Sequence, residues 1–125
     1  MKKMDKEIAA LVEQLIEQHN SLITTLQDEA LPEGRVREFV HRYNLNAANF
    51  REQLAYQTGA IEYYIGERSD RWQESERGQA YQAWHDELDN QPLDEIDMDD
   101  LDEFDPKGLQ EIDTYEFPWS VEQFL

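Results

Sequence analysis

The sequence predicts an all-α fold: a small bundle of four or five helices over residues 1–90, followed by an acidic, partly ordered C-terminal extension over residues 91–125. Three observations carry that prediction. Apolar residues recur at three- and four-residue steps as far as Pro92, with no convincing strand alternation. Pro, Gly and capping residues divide the recurrence into helix-sized segments. Charge is divided unevenly: of 29 acidic and 11 basic residues, giving a formal −18, residues 86–125 hold 15 acids and one base, Lys107. That third of the chain carries −14, and residues 1–85 carry only −4.

The first helix is expected over residues 4–29. Met4, Ile8, Leu11, Leu15, Leu22 and Leu26 form its stripe, widened by Val12, Ile16, His19 and Ile23. A stripe that broad fits a helix packed on other helices. Gln18 and Thr25 at core positions disfavour a dimeric coiled coil. Leu31-Pro32-Glu33-Gly34 breaks the pattern. A short helix over 35–43 follows, with Val36, Phe39, Val40 and Tyr43 on one face. Asn44 or Asn46 then caps a third helix over 47–67, because a short amide accepts from free backbone N–H groups. Gly59 is a weak point in that helix, where a neighbouring helix could approach closely. Ser69 and Ser75 cap two further segments, the second running over 76–88 with Ala80, Tyr81, Trp84 and Leu88 inward. Leu15, Leu22, Phe39, Leu54, Ile61 and Trp84 are expected in the core.

Residues 94–105, DEIDMDDLDEFD, are the most distinctive stretch. Eight of the twelve are acidic: Asp94, Glu95, Asp97, Asp99, Asp100, Asp102, Glu103 and Asp105. The others, Ile96, Met98, Leu101 and Phe104, are large and apolar, which a merely solvated tail does not need. Leu93, Ile96, Leu101 and Phe104 can share one helix face. As a helix the run spans ~18 Å; extended, it spans ~40 Å. Its charge density then falls near that of duplex DNA or of a single strand, respectively. Beyond Pro106-Lys107-Gly108, the aromatic ending with Phe117, Trp119 and Phe124 is unlike a disordered tail and implies that the chain end is tied down.

Several chemistries are excluded by spacing. There is no cysteine, hence no disulfide and no thiolate site. Calcium loops started at Asp97 or Asp94 lack Gly at the sixth position and Glu at the twelfth. Glu38 and His41 match one half of a di-iron motif whose second copy is missing. Glu67 and Asp70 match half of the magnesium motif of all-helical nucleotide pyrophosphatases, again without its partner. His19, His41 and His85 are read as exposed or capping residues. The stretch 68–84, with Arg68, Arg71, Arg77, Trp72, Tyr81 and Trp84, is read as core aromatics flanked by arginines that pair with Glu67, Asp70, Glu74 and Glu76. Those arginines are also candidates to hold the acidic segment on the bundle.

No catalytic residue, cofactor or metal is expected, and no membrane span or signal peptide, so the protein is read as cytoplasmic and as no enzyme. A charge of −18 repels nucleic acid and anionic membranes and attracts basic proteins. The expected function is inhibition or regulation by charge mimicry. The acidic face, a DNA mimic, would occupy the basic groove of a nucleic-acid-binding protein or nuclease, as phage and plasmid counter-defence proteins (anti-CRISPR, anti-restriction) often do. The expected partner-binding residues are the eight acids with Met98, Phe104, Phe117 and Trp119 as apolar anchors, in a monomer or dimer. Two alternatives share the acidic face: an immunity or antitoxin protein bound to a basic toxin, and an adaptor whose acidic-aromatic tail recruits partners.

Overall fold

Helix α1 (Lys6–Asp28) begins where the Asp5 carboxylate accepts from Glu7 N at 3.0 Å and Ile8 N at 3.3 Å. The computed structural model describes residues 1–28 and 32–125, with the backbone alone described at 33, 102 and 103. The expected helix end at residue 29 and the break at Leu31 therefore lie outside the described residues. The buried stripe of α1 is Val12, Ile16, His19, Ile23 and Leu26. Of the expected stripe, Met4, Leu26 and the four widening residues are buried, but its centre is displaced by one residue: Leu15 and Leu22 are half-buried and Leu11 is 46% exposed. The cause is the C-terminal chain. His19 Nε2 meets Gln110 O at 3.1 Å, and Asn20 meets the backbone of Ile112. Thus α1 is covered on a flank that a bundle alone would leave open.

Helix α2 (Glu33–Gly66) is one continuous rod of 34 residues. The expected break at Asn44 and Asn46 does not occur, because both amides reach tertiary acceptors and neither caps a helix. Asn46 Nδ2 donates to Leu15 O on α1 at 3.0 Å. Asn44 donates to Ile96 O and accepts from Ile96 N, both at 2.8 Å. Val40, Tyr43, Ala47, Phe50, Leu54 and Ile61 are buried, whereas Phe39 is only half-buried beneath the guanidinium groups of Arg35 and Arg42. Among the described residues a Cβ added at Gly59 would meet nothing within 4 Å, so none of the described helices approaches closely there.

Two serines set the next reversal. Ser69 accepts from Trp72 N at 3.2 Å and opens α3 (Asp70–Glu74); Ser75 accepts from Gly78 N at 3.1 Å and opens α4 (Glu76–Asp89). The close approach falls at Gly78, where a Cβ would lie 2.3 Å from Trp72 O and 2.6 Å from Gln73 O. Ala80, Tyr81, Trp84 and Leu88 line the buried side of α4.

After α4 the chain makes no further α-helix among the described residues. Of the two forms open to 94–105, helical or extended, the structure shows a 3-10 turn, Met98–Glu103, interrupted at Asp100 and flanked by extended backbone at Asp97 and Phe104. Like charges three and four residues apart destabilise a helix. Further 3-10 turns follow at Pro106–Gly108 and Val121–Phe124. Leu93, Ile112, Phe117 and Val121 belong to one buried cluster with Val12, Ile16, Phe50, Leu54, Ile61, Tyr81, Trp84 and Leu88. Trp84 Nε1 donates to Pro118 O at 2.8 Å. Lys3 and Ser120 form an isolated antiparallel bridge, with Met4 N bonded to Trp119 O and Val121 N to Lys2 O.

Candidate functional site

The acidic run is pinned by its backbone, which leaves its side chains free to point away. Arg51 of α2 donates to Leu93 O. Asn44 grips both polar groups of Ile96, as a neighbouring strand would. Gln27 at the end of α1 donates to Pro106 O at 3.0 Å and Leu109 O at 3.2 Å. The segment is thus fixed at both ends by uncharged or cationic groups aimed at carbonyls, not at carboxylates. The arginine that holds it is Arg51, whereas Arg68 lies over the Tyr64 ring at 4.2 Å. Among the described residues no ion pair joins Arg68, Arg71 or Arg77 to the acids beside them.

Between these pins Asp94, Glu95, Asp97, Asp99, Asp100 and Asp105 are exposed. The side chains of Asp102 and Glu103 lie outside the described residues. Two of the carboxylates also shape the chain: Asp97 accepts from Asp99 N at 2.9 Å, and Asp105 from Lys107 N at 3.0 Å. Tyr43 sits below the run. Burial first, and the Asp94 carboxylate second, hold its hydroxyl above the usual 10.0.

The four expected anchors separate. Met98 and Phe104 are half-buried within the run, and Phe104 lines a shallow recess with Ile96, Asp97 and Asp100. Phe117 is 2% exposed and belongs to the core, so it is not presented to a partner. Trp119 is half-buried, 4.6 Å from the Phe117 ring, with Nε1 donating to Thr114 O at 2.7 Å. Its role in the fold comes first. The sequence reading missed Tyr115, 95% exposed beside Trp119, and the positioning residues Gln27, Asn44 and Arg51. The exposed aromatic carried no sequence signal, because Ile112, Phe117 and Trp119 around it turn inward.

The remaining candidates are engaged structurally. Glu38 pairs with Arg35 at 3.4 Å and Arg42 at 3.0 Å, while His41 is exposed. His19 is fully buried, not exposed. His85 bridges Glu62 of α2 at 2.7 Å and Asp86 at 3.0 Å. Among the described residues no group of three or more His, Asp or Glu is placed to hold a metal ion, and no helix is long and apolar enough to cross a membrane. Comparison with known protein families, characterised proteins and solved structures found no match.

Proposed function

We propose that this chain is an acidic inhibitor or regulator. In this reading the run 94–105 occupies the basic nucleic-acid-binding face of a partner protein, such as a nuclease of a restriction or CRISPR system. The observation that carries it is the mounting of the run. The backbone in and beside it is clamped at Leu93, Ile96, Pro106 and Leu109, while six of its carboxylates are exposed and in no ion pair among the described residues. A pre-fixed anionic surface loses less freedom on binding than a loose tail of the same composition.

The backbone geometry supports a single-strand-like charge spacing. Six residues at the 3-10 rise of ~2.0 Å and six extended ones at ~3.3 Å give a contour of at most ~32 Å. Eight carboxylates over that length is about one per 4 Å, near the ~3.4 Å of one nucleic-acid strand. Burial of Ile112, Phe117 and Val121 speaks against the adaptor alternative, in which the tail would act alone when grafted elsewhere.

The test is capture of partners from a cell extract at low and high salt with mass spectrometry, then competition. A basic nucleic-acid-binding protein should be retained at low salt and lost at high salt. Adding this chain should displace labelled nucleic acid from it. The chain alone should not shift labelled duplex DNA; binding to DNA at moderate salt would overturn the reading.

A further inference from the structure

We propose that a second site, the cleft between α1 and the middle of α2, seats an extended, uncharged polypeptide segment from a partner. An apolar side chain would lie against Leu22 and Leu45, and a peptide N–H would be donated to Asn46. The cleft has a volume of about 520 Å³, and Gln18, Ser21, Leu22, Leu45, Asn46 and Asn49 line it. That volume lies within the usual range of ligand sites, roughly 300–1,000 Å³.

Three observations select the occupant. First, Leu45 is 58% exposed and Leu22 half-buried, so the two leave apolar surface uncovered across the cleft. Second, Asn46 is 6% exposed; its Nδ2 donates to Leu15 O, and its Oδ1 is buried with no hydrogen-bond partner among the described residues. An acceptor left so is costly, and a ligand bringing a donor removes that cost once the side chains lying over Oδ1 turn aside to admit it. Third, the protein already uses this chemistry on itself. Asn44 clamps Ile96, and Asn20 clamps Ile112, each through both N–H and C=O at 2.8 Å. A side-chain amide matches one peptide unit, donor to acceptor and acceptor to donor.

The charge at the rim fits a neutral segment. Glu17 and Arg42 oppose one another in sign, and Arg42 is also paired with Glu38 at 3.0 Å. Asn46 lies two residues from Asn44, about 200° round the helix at ~3.6 residues per turn. The cleft and the acidic run therefore occupy opposite flanks of α2, and the two sites can be lost separately.

The test uses the free 125-residue chain and a minimal probe, N-acetyl-leucine N-methylamide, followed by NMR. Its outcome does not depend on the charge-mimic reading. Saturable shifts should be confined to the Leu22 and Leu45 methyls and the side-chain amides of Gln18, Asn46 and Asn49. The ester analogue, with oxygen in place of the leucine N–H, should bind about tenfold more weakly. Asn46→Ala should abolish that amide-over-ester preference. If that variant fails to fold, Leu45→Ser at its exposed position should still weaken probe binding about tenfold with helix content unchanged. Shifts scattered over the surface without saturation, or equal affinity for amide and ester, would overturn the proposal.

Discussion

His19 and His85 titrate in opposite senses, and their surroundings say why. His19 Nε2 faces a carbonyl, which only accepts, so Nε2 carries the proton and Nδ1 is left as a buried acceptor without a partner among the described residues. Burial holds its pKa below the usual 6.5, against the Gln110 carbonyl and the Glu111 charge. Below pH 6.5 the unfolded chain takes up a proton that the folded one does not, so stability falls with pH until the lowered value is passed. At His85 burial also pulls the pKa down, but hydrogen bonds to Asp86 and Glu62 outweigh it, and the result lies above 6.5. That contribution is complete below pH 6.5 and fades as pH rises through the raised value. The bond to His85, and then that to Gln82, hold Asp86 below its usual 3.8, so its share persists above 3.8 and is lost on further acidification. His85, which joins α4 to Glu62 of α2, therefore contributes most below about pH 6.5, and its bond to Asp86 within α4 contributes fully above about pH 4. Urea midpoints at about pH 5.5 and about pH 8 check this. His85→Gln should lose more stability at the lower pH than at the higher, and His19→Gln should remove part of the parent's decline on acidification. Pairs of midpoint differences that do not change with pH would contradict both assignments.

Two glycines make opposite predictions at the level of the helix. Gly59 is an exposed interior position of α2 with open space around it, so Gly59→Ala should stabilise by roughly 0.5–1 kcal/mol through helix propensity and a less flexible unfolded chain. Gly78→Ala must push a methyl into the backbone of Trp72 and Gln73 where α3 reverses into α4, and should cost more than about 2 kcal/mol. Urea unfolding separates them; a neutral Gly78→Ala would mean that the Ser75 turn yields easily. The contrast also marks what could be read from the sequence. The caps at Ser69 and Ser75 were legible because a cap is completed within three residues. The inward side of α4 was legible because Ala80, Tyr81, Trp84 and Leu88 all meet one core. Asn44 was not, since its partner Ile96 lies 52 residues away and an asparagine looks alike as cap or clamp. The centre of the α1 stripe, Leu15 and Leu22 against Ile16 and Ile23, was not legible for the same kind of reason: the chain that covers His19 and Asn20 arrives from residues 110–112. At the candidate site the exposed acids followed from composition, because few cations are near them in sequence. Which aromatics stay outside did not follow. Phe117 and Tyr115 are two residues apart, and only packing decides that one is buried and the other bare.

Across the whole molecule the charge is placed so that encounter and residence can be separated by mutation. Six acids of the run, Asp94, Glu95, Asp97, Asp99, Asp100 and Asp105, are exposed, while its apolar residues Met98 and Phe104 are half-buried; under the proposed function the former would act at long range and the latter only on contact. Trp119 cannot serve as the test anchor, because it packs on Phe117 and bonds to Thr114, and its loss would disturb the fold. Two variants isolate the terms. In the first, Asp97, Asp99, Asp100 and Asp102 are all changed to Asn, which keeps shape, keeps an Asn acceptor for the Asp99 N–H at position 97 and removes four charges. In the second, Met98→Ala and Phe104→Ala keep charge and remove the contact surface. Electrostatic attraction acts mainly on association, and buried apolar anchors mainly on dissociation. Against the identified partner the four-Asn variant should associate about tenfold more slowly at low salt. That gap should narrow once the Debye length falls to ~8 Å at physiological salt. The double-Ala variant should associate at the parent's rate and dissociate about tenfold faster. Thermal unfolding of the four-Asn variant serves as control: removing like charges from a chain of −18 should leave stability equal or higher. If the four-Asn variant keeps the parent's on-rate and salt dependence, the acidic run is a solubility feature, and partner contact must lie elsewhere on the bundle.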